Sequence, residues 1–126
     1  AMTEARPLVP AERMLMFDAE NSPIQWFYRT ARAHANFYES CMLRDKIAAG
    51  EGVTPEDFAR WRAVLLDARE NAEAAIPLVE DDMRLDWYYG GDHTFPHAAD
   101  MLRANIELID KGLAETLPAL AAKHGV

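Results

Sequence analysis

The segment from Thr54 to Met83 carries apolar residues at alternating steps of three and four over more than three heptads. This spacing places them along one side of an α-helix and is typical of a helix packed nearly parallel to its neighbours. Thr54 and Pro55 stand in the order of a helix cap and a first helical residue. The pattern therefore predicts one long helix whose buried stripe consists of Phe58, Trp61, Leu65, Ala68, Ala72, Ala75 or Ile76, Val79 and Met83.

Pro77 lies inside this helical pattern, where it removes one backbone donor and clashes with the preceding turn. Two outcomes are open, a kink near residues 73–76 or a complete break of the helix. Because Leu78, Val79 and Met83 continue the apolar spacing, we expect a kinked helix that continues.

A second long helix is predicted before this one. Ser22 and Pro23 form a start signal, and Gly50 is suited to the left-handed conformation that closes a helix. Residues 10–21 would form a separate short helix before that start. The helix from Pro23 to Ala49 is expected to bury one stripe, broadened by Trp26 and Tyr28, that consists of Ile24, Phe27, Ala31, His34 or Ala35, Tyr38 and Met42.

A third long helix should start near Thr94, Phe95 and Pro96, and it should bury Ala98, Leu102, Asn105 or Ile106, Ile109 and Leu113. Residues 114–124 contain Pro118 and would form a frayed or kinked extension that uses Leu117 and Leu120. With a short connection between the first two long helices, these must be antiparallel. The predicted fold is all-α, an up-down bundle of three long helices plus a short N-terminal helix.

The length of 126 residues fits one domain with a single core. We interpret residues 1–2 as a cloning remnant and residues 3–126 as one helical-bundle domain, which is either a whole protein or a domain excised from a larger one. Cys41 is the only cysteine, so no internal disulfide can form. We interpret it as a small apolar filler rather than a reactive thiolate, and the cellular compartment stays undetermined.

The formal net charge of −8 argues against partners that offer phosphates, because binding to nucleic acid depends on Lys and Arg. We therefore expect no nucleic acid partner and no anionic membrane surface. No apolar run approaches the roughly 18 residues that a membrane span needs. No glycine-rich phosphate loop, dinucleotide fingerprint or nucleophile elbow is present, so we expect no cofactor and do not expect this chain to be an enzyme by itself.

The segment 84–94 has the most unusual composition, with three consecutive aromatic residues before two glycines. Aromatic side chains with a polar edge are suited to stacking on sugar rings or to anchoring a partner, while nearby charges add directional hydrogen bonds. The alternative is a structural plug at the open end of the bundle. The candidate binding residues are Arg84, Asp86, Trp87, Tyr88, Tyr89 and His93.

His93 and His97 lie four residues apart and, together with His34, are candidate metal ligands of the kind found in helical bundles. The interpretation is weakened because Pro96 marks a helix start and leaves His93 outside the helix. Surface histidines are the alternative. Four acidic residues lie close by in the sequence, Glu80, Asp81, Asp82 and Asp86. Nothing holds two of their carboxylates at a defined distance, so we interpret them as a solvated end of the bundle.

Residues 70–87, ENAEAAIPLVEDDMRLDW, resemble a segment near the C-terminus of large bacterial multidomain proteins related to glycoside hydrolases. The matching positions include Pro77, Leu78, Val79 and Glu80, and then Arg84, Leu85 and Trp87. Asp86 replaces a glycine of that family, and residues 88–93 replace an acidic, proline-bearing continuation. The resemblance implies a helical appendage of a sugar-processing enzyme whose catalytic domain lies elsewhere.

Three functions follow from these observations. The first is a noncatalytic accessory domain that packs on the catalytic domain of a glycoside hydrolase-like enzyme, or that contributes an aromatic loop near bound carbohydrate. The second is a small metal-dependent bundle enzyme that uses His34, His93 and His97. The third is an interaction subunit that assembles with another copy of itself through an apolar face.

Overall fold

The computed structural model describes residues 2–86 and 97–126, and within them every regular element is a helix. A first short helix, α1, spans Met2–Ala5 and is followed by 3₁₀ turns at Arg6–Leu8 and Ala11–Arg13. The long helices are α2 at Met14–Ala49 and α3 at Pro55–Asp81. Helix α4 at Ala98–Lys111 continues through a π-helical stretch at Gly112–Thr116 into α5 at Leu117–His124.

This architecture confirms the all-α bundle of three long helical segments with short helical turns at the N-terminus. Helix α3 is central, because both α2 and α4 pack mainly against it. No helix within residues 2–86 and 97–126 is long and apolar enough to cross a membrane.

The predicted start of α2 at Ser22 and Pro23 is wrong, because α2 begins at Met14 and runs through Pro23 without interruption. The expected separate helix at residues 10–21 is therefore largely the first part of α2. Pro23 cannot donate to the carbonyl of Ala19, four residues earlier. A neighbouring side chain supplies that hydrogen bond instead, since Arg84 Nη2 donates to Ala19 O at 2.7 Å.

Both ends of the α2–α3 connection follow the sequence signals. Gly50 closes α2 with a φ of 76°, as expected for a left-handed terminal residue. At the start of α3, the backbone N–H of Thr54 donates to the Asp57 carboxylate at 2.9 Å, and Lys46 Nζ also donates to that carboxylate at 2.8 Å. Acidic groups in a first helical turn are further favoured by the helix dipole.

Helix α3 continues through Pro77, as expected, and ends at Asp81. Most of its predicted stripe is buried or half-buried. Met83 is the exception, because it lies beyond the end of the helix and its side chain is 85% exposed. The predicted stripe of α4 is also correct for Ala98, Leu102, Ile106 and Ile109.

The last helical segment passes Pro118 through a change of helix type. The π-helical turn at Gly112–Thr116 directly precedes α5, whose second residue is Pro118. Because proline provides no backbone donor, a widened turn at this place lets the chain remain helical. Leu117 is buried and Leu120 half-buried, which confirms that the extension contributes to the core.

Among the described residues, two core clusters lie at opposite ends of α3. One cluster joins Ile47 of α2, Phe58 and Trp61 of α3, and Leu117 of α5. The other joins Val79 to Ala98 and Ala99, with Trp26 and Ile76 packed against them. Between the two clusters α3 presents mainly alanines, Ala68, Ala72 and Ala75, which leave space between the helices.

The predicted buried stripe of α2 is wrong. Its large members are exposed, with Phe27 76%, Tyr38 65% and Met42 73% accessible. The side of α2 that faces α3 is instead polar between Arg29 and Ser40, with the half-buried Trp26 before this stretch and the apolar Leu43 and Ile47 after it.

Paired polar groups explain this orientation of α2. Arg32 Nε donates to Asp67 Oδ2 of α3 at 2.9 Å, and Asn36 Nδ2 donates to the same oxygen at 2.6 Å. Nearer the end of the hairpin, Trp61 Nε1 donates to Ser40 Oγ at 2.8 Å. Polar side chains can fill a helix interface when each has a hydrogen-bond partner. The apolar stripe of α2 therefore lies on the side that faces away from α3.

Candidate functional site

Arg84, a predicted binding residue, links the ends of α2 and α3. Besides its bond to Ala19 O, its Nε donates to Asp82 Oδ1 at 2.8 Å and its Nη2 to Asp82 Oδ2 at 2.5 Å. These contacts, with a smaller contribution from Ser22, lower the pKa of Asp82 to about 2. The geometry gives Arg84 a role in holding the turn at residues 82–86 against α2.

Asp86 binds the start of α4. Its Oδ1 accepts from the backbone N–H of Ala98 at 2.9 Å, and its Oδ2 lies 2.7 Å from His97 Nδ1. A carboxylate at a helix N-terminus satisfies a backbone donor and is favoured by the helix dipole. The flanks of residues 87–96 are therefore held together by Asp86 and His97.

The remaining members of the predicted loop site, Trp87, Tyr88, Tyr89 and His93, lie outside the described residues. Whether they bind a ligand or plug the bundle stays a prediction. The structure shows that the two described residues on either side of this segment, Asp86 and His97, contact each other.

The predicted metal ligands are not brought into a cluster by the part of the chain that the structure describes. Within it, no group of three or more His, Cys, Asp or Glu side chains is placed to hold an ion. His34 lies on α2, and His97 is bonded to Asp86. Because His93 is outside the described residues, the three-histidine site stays a prediction.

The acidic end of α3 is largely engaged with basic side chains. Glu80 pairs with Arg103 of α4, which also pairs with Asp100 at 3.2 Å. Asp82 pairs with Arg84 as described above. These carboxylates thus tie α3 to its neighbours, and such a role requires no bound cation.

The outer face of α2 is an extended apolar surface. We define it as the exposed side chains of Ile24, Phe27, Tyr28, Ala31, His34, Ala35, Tyr38 and Met42. The three charged residues of this stretch, Arg29, Arg32 and Glu39, are all half-buried toward α3. The outer face therefore carries no carboxylate, ammonium or guanidinium over about 27 Å of helix length.

A groove, which we call the central groove, lies between α2, α3 and α4 where α3 is rich in alanine. Its volume is about 340 Å³. Its apolar walls include Trp26, Phe37, Leu65, Ala72, Leu102 and Ile109. Clefts of this size are at the lower end of the range, about 300–1,000 Å³, that small-molecule sites occupy.

Two polar residues of the groove, Arg29 and Asn71, were not singled out by the sequence analysis. Asn71 is 3% exposed, and its Nδ2 donates to the backbone carbonyl of Arg29 at 2.8 Å. Its Oδ1 accepts from Arg29 Nη1 at 3.3 Å. A signal was present in the sequence, since Asn71 stands three residues after Ala68 and four before Ala75, on the buried side of the α3 pattern.

Comparisons of the chain with family models, with curated proteins and with solved structures found no match. The resemblance of residues 70–87 to glycoside hydrolase-like proteins therefore stays a prediction from the sequence.

Proposed function

We propose that this chain is a noncatalytic helical interaction module that assembles with a second copy of itself through the outer face of α2. The observation that carries the proposal is the exposure of the aromatic and aliphatic side chains on that face. An apolar patch of this extent on a water-facing helix marks an interaction surface.

The size of the outer face agrees with a dimer interface. Phe27, Tyr28 and Tyr38 are 76%, 55% and 65% exposed. With about 150–250 Å² for each aromatic side chain, they alone offer roughly 400 Å² per protomer. A specific interface buries about 800 Å² per partner, and Ile24, Met42 and the alanines bring the patch closer to that value.

The order of residues along the outer face favours a second copy of the chain. Six of its eight side chains follow each other at steps of four and three, and Phe27 and His34 lie outside this series. The six are Ile24, Tyr28, Ala31, Ala35, Tyr38 and Met42. Read in either direction, this series is aliphatic, tyrosine, alanine, alanine, tyrosine, aliphatic. An isologous interface requires such self-complementarity, because residue i contacts residue j and residue j contacts residue i.

An antiparallel pair of α2 helices satisfies this pattern at every position. Tyr28 would face the partner's Tyr38, Ala31 the partner's Ala35, and Ile24 the partner's Met42. The central alanines allow the helices to approach closely, and the larger residues pack on both sides of them. The uncharged outer face also lets two copies of a chain with a net charge of −8 meet without opposing like charges across the contact.

Sedimentation equilibrium from about 1 to 500 μM tests the association. We expect a reversible dimer whose dissociation constant rises at least about 100-fold in Tyr38→Glu, because two carboxylates would be buried without partners. Leu108→Glu is the matched control, since Leu108 is an exposed apolar residue of α4 that lies off the outer face. A monomer throughout this range, or an equal effect of both variants, would refute self-association.

Disulfide trapping tests the antiparallel arrangement. In a Cys41→Ala background, a mixture of the Ala31→Cys and Ala35→Cys variants should form a crosslinked dimer, while each variant alone should form little. In a parallel pair, identical positions would be adjacent, so each variant alone would form the crosslinked dimer.

The second candidate function is the accessory domain of a glycoside hydrolase-like enzyme, which the resemblance of residues 70–87 favours. In this case the outer face of α2 would pack on the catalytic domain, and the aromatic segment held between Asp86 and His97 would contact carbohydrate. A monomeric chain whose thermal stability rises with an oligosaccharide, and not in Trp87→Ala, would support this candidate. A panel of oligosaccharides without effect on either variant would remove the carbohydrate contact.

A further inference from the structure

We propose that the central groove binds a small organic carboxylate with an apolar body, and that Arg29 recognises the carboxylate. The groove shares His34 with the outer face of α2, and Arg29 lies beside the ring of Tyr28, but the carboxylate would be bound within one protomer and its binding does not depend on self-association.

The first argument is the charge of Arg29. Seven arginines of the described residues pair with a carboxylate, namely Arg6, Arg32, Arg44, Arg60, Arg69, Arg84 and Arg103. No carboxylate of residues 4–86 and 97–126 lies within ion-pair distance of Arg29, although its side chain is half-buried. Arg13 and Arg62 also lack a carboxylate partner among the described residues, but both are exposed and water can solvate them.

The second argument is the incomplete hydrogen bonding of the Arg29 guanidinium. Its Nε is buried and has no acceptor, and the bond from Nη1 to Asn71 Oδ1 is long at 3.3 Å. The ring of Tyr28, 5.7 Å from Cζ, is a weaker partner for the charge than a carboxylate. A half-buried cation without a counterion is less stable than a paired one, so an anion that reached the guanidinium would gain a charge-assisted hydrogen bond.

The third argument is the shape and lining of the groove beside Arg29. Its volume of about 340 Å³ and its walls of Trp26, Phe37, Leu102 and Ile109 suit a body of roughly ten non-hydrogen atoms. A neutral apolar molecule would leave the charge of Arg29 without a counterion, and an inorganic anion would leave the apolar walls in water. A compound with both a carboxylate and an aromatic or aliphatic body satisfies the two requirements together.

Phenylacetate is a suitable probe, with phenylacetamide as its uncharged counterpart of the same shape. In titrations at pH 7 and low chloride, followed by calorimetry and by ¹H–¹⁵N NMR of the full chain, we expect phenylacetate to bind at least about tenfold more tightly than phenylacetamide. Shifted amide signals should concentrate at residues of α2, α3 and α4 that line the groove.

Variants of Arg29 test its role in this binding. Arg29→Met should weaken phenylacetate binding at least about tenfold, and Arg29→Lys, which keeps the charge but loses the bidentate geometry, should weaken it less. Arg62→Met removes an exposed arginine outside the groove and should leave the affinity unchanged. Equal binding of the acid and the amide, equal effects of the two methionine variants, or no binding of phenylacetate at 10 mM would each overturn the proposal.

Discussion

The two long faces of α2 contrast in composition and in partners. The inner face meets α3 through Arg32, Asn36 and Ser40, each of which is bonded to a named group on that helix. The outer face carries Phe27 and Tyr38 and meets no part of the described chain closely enough to be covered. An apolar stripe on a helix therefore identifies a surface that needs a partner, and this partner is not always the core of the same chain.

This contrast concerns energy as well as position. The polar inner face keeps α2 in place because its charged groups form bidentate or shared hydrogen bonds, which leave few donors unsatisfied. The outer face costs free energy in water until a partner covers it. Substitutions in the core, on the inner face and on the outer face should therefore differ in their effect on the free energy of unfolding.

The largest effect is expected from truncating the core. Trp61 is 7% exposed, and Trp61→Ala should lower the free energy of unfolding by about 3–5 kcal/mol, because it opens a cavity and removes the bond to Ser40. Phe27→Ala removes an aromatic side chain of the outer face and should change that free energy by no more than about 0.5 kcal/mol in the monomer. Urea denaturation at low micromolar concentration measures both.

Circular dichroism of the folded variants is the accompanying control, since both should retain the helical spectrum before urea is added. If Phe27→Ala destabilised the monomer as much as Trp61→Ala, the outer face would be part of the core and the proposed interaction surface would be lost.

The sequence was sufficient to predict the buried stripe of α3, except for Met83, and that of α4, because these stripes face the interior of the bundle. For α2 the same reasoning chose the wrong side. The predicted stripe did not include Arg32 or Glu39, although Asp67 and Arg60 on α3 lie opposite them. The periodicity of a helix shows which residues share a face. Which of its faces packs against a neighbouring helix depends on how the two helices are aligned, and the sequence of one helix does not contain this information.

For the candidate site, composition indicated Arg84 and Asp86 but not what they contact. Arg84 bonds Ala19, 65 residues earlier in the chain, because Pro23 leaves that carbonyl without a donor. Asp86 bonds the start of α4 across the aromatic segment. Both contacts depend on how the ends of the helices meet in three dimensions, and local sequence signals do not contain this information.

A smaller effect is expected on the inner face of α2. Asp67→Asn should lower the free energy of unfolding at pH 7 by about 1 kcal/mol, a value reduced because the carboxylate is partly exposed. Arg32, and then Asn36, hold the pKa of Asp67 below its usual value in the folded chain. This stabilisation is therefore present above the unfolded pKa near 4 and is lost as the pH falls through the lower folded pKa.

Denaturation at pH 7 and at pH 3 measures the pH dependence, and the wild-type chain should lose more stability than Asp67→Asn over this interval. Asp45→Asn is the control, because Asp45 is exposed and pairs with the adjacent Arg44. An identical pH dependence of the wild type and Asp67→Asn would show that the inner-face pair contributes nothing.

The smallest effect is expected where α2 passes Pro23. Arg84→Ala removes the donor to Ala19 O, so it should lower the melting temperature of the wild-type chain. In a Pro23→Ala background the new backbone N–H can donate to that carbonyl, and the same Arg84→Ala change should then cost less. A double-mutant cycle followed by thermal denaturation measures the difference. Equal losses in both backgrounds would mean that Arg84 acts through Asp82 alone, and that the carbonyl freed by Pro23 does not need its guanidinium.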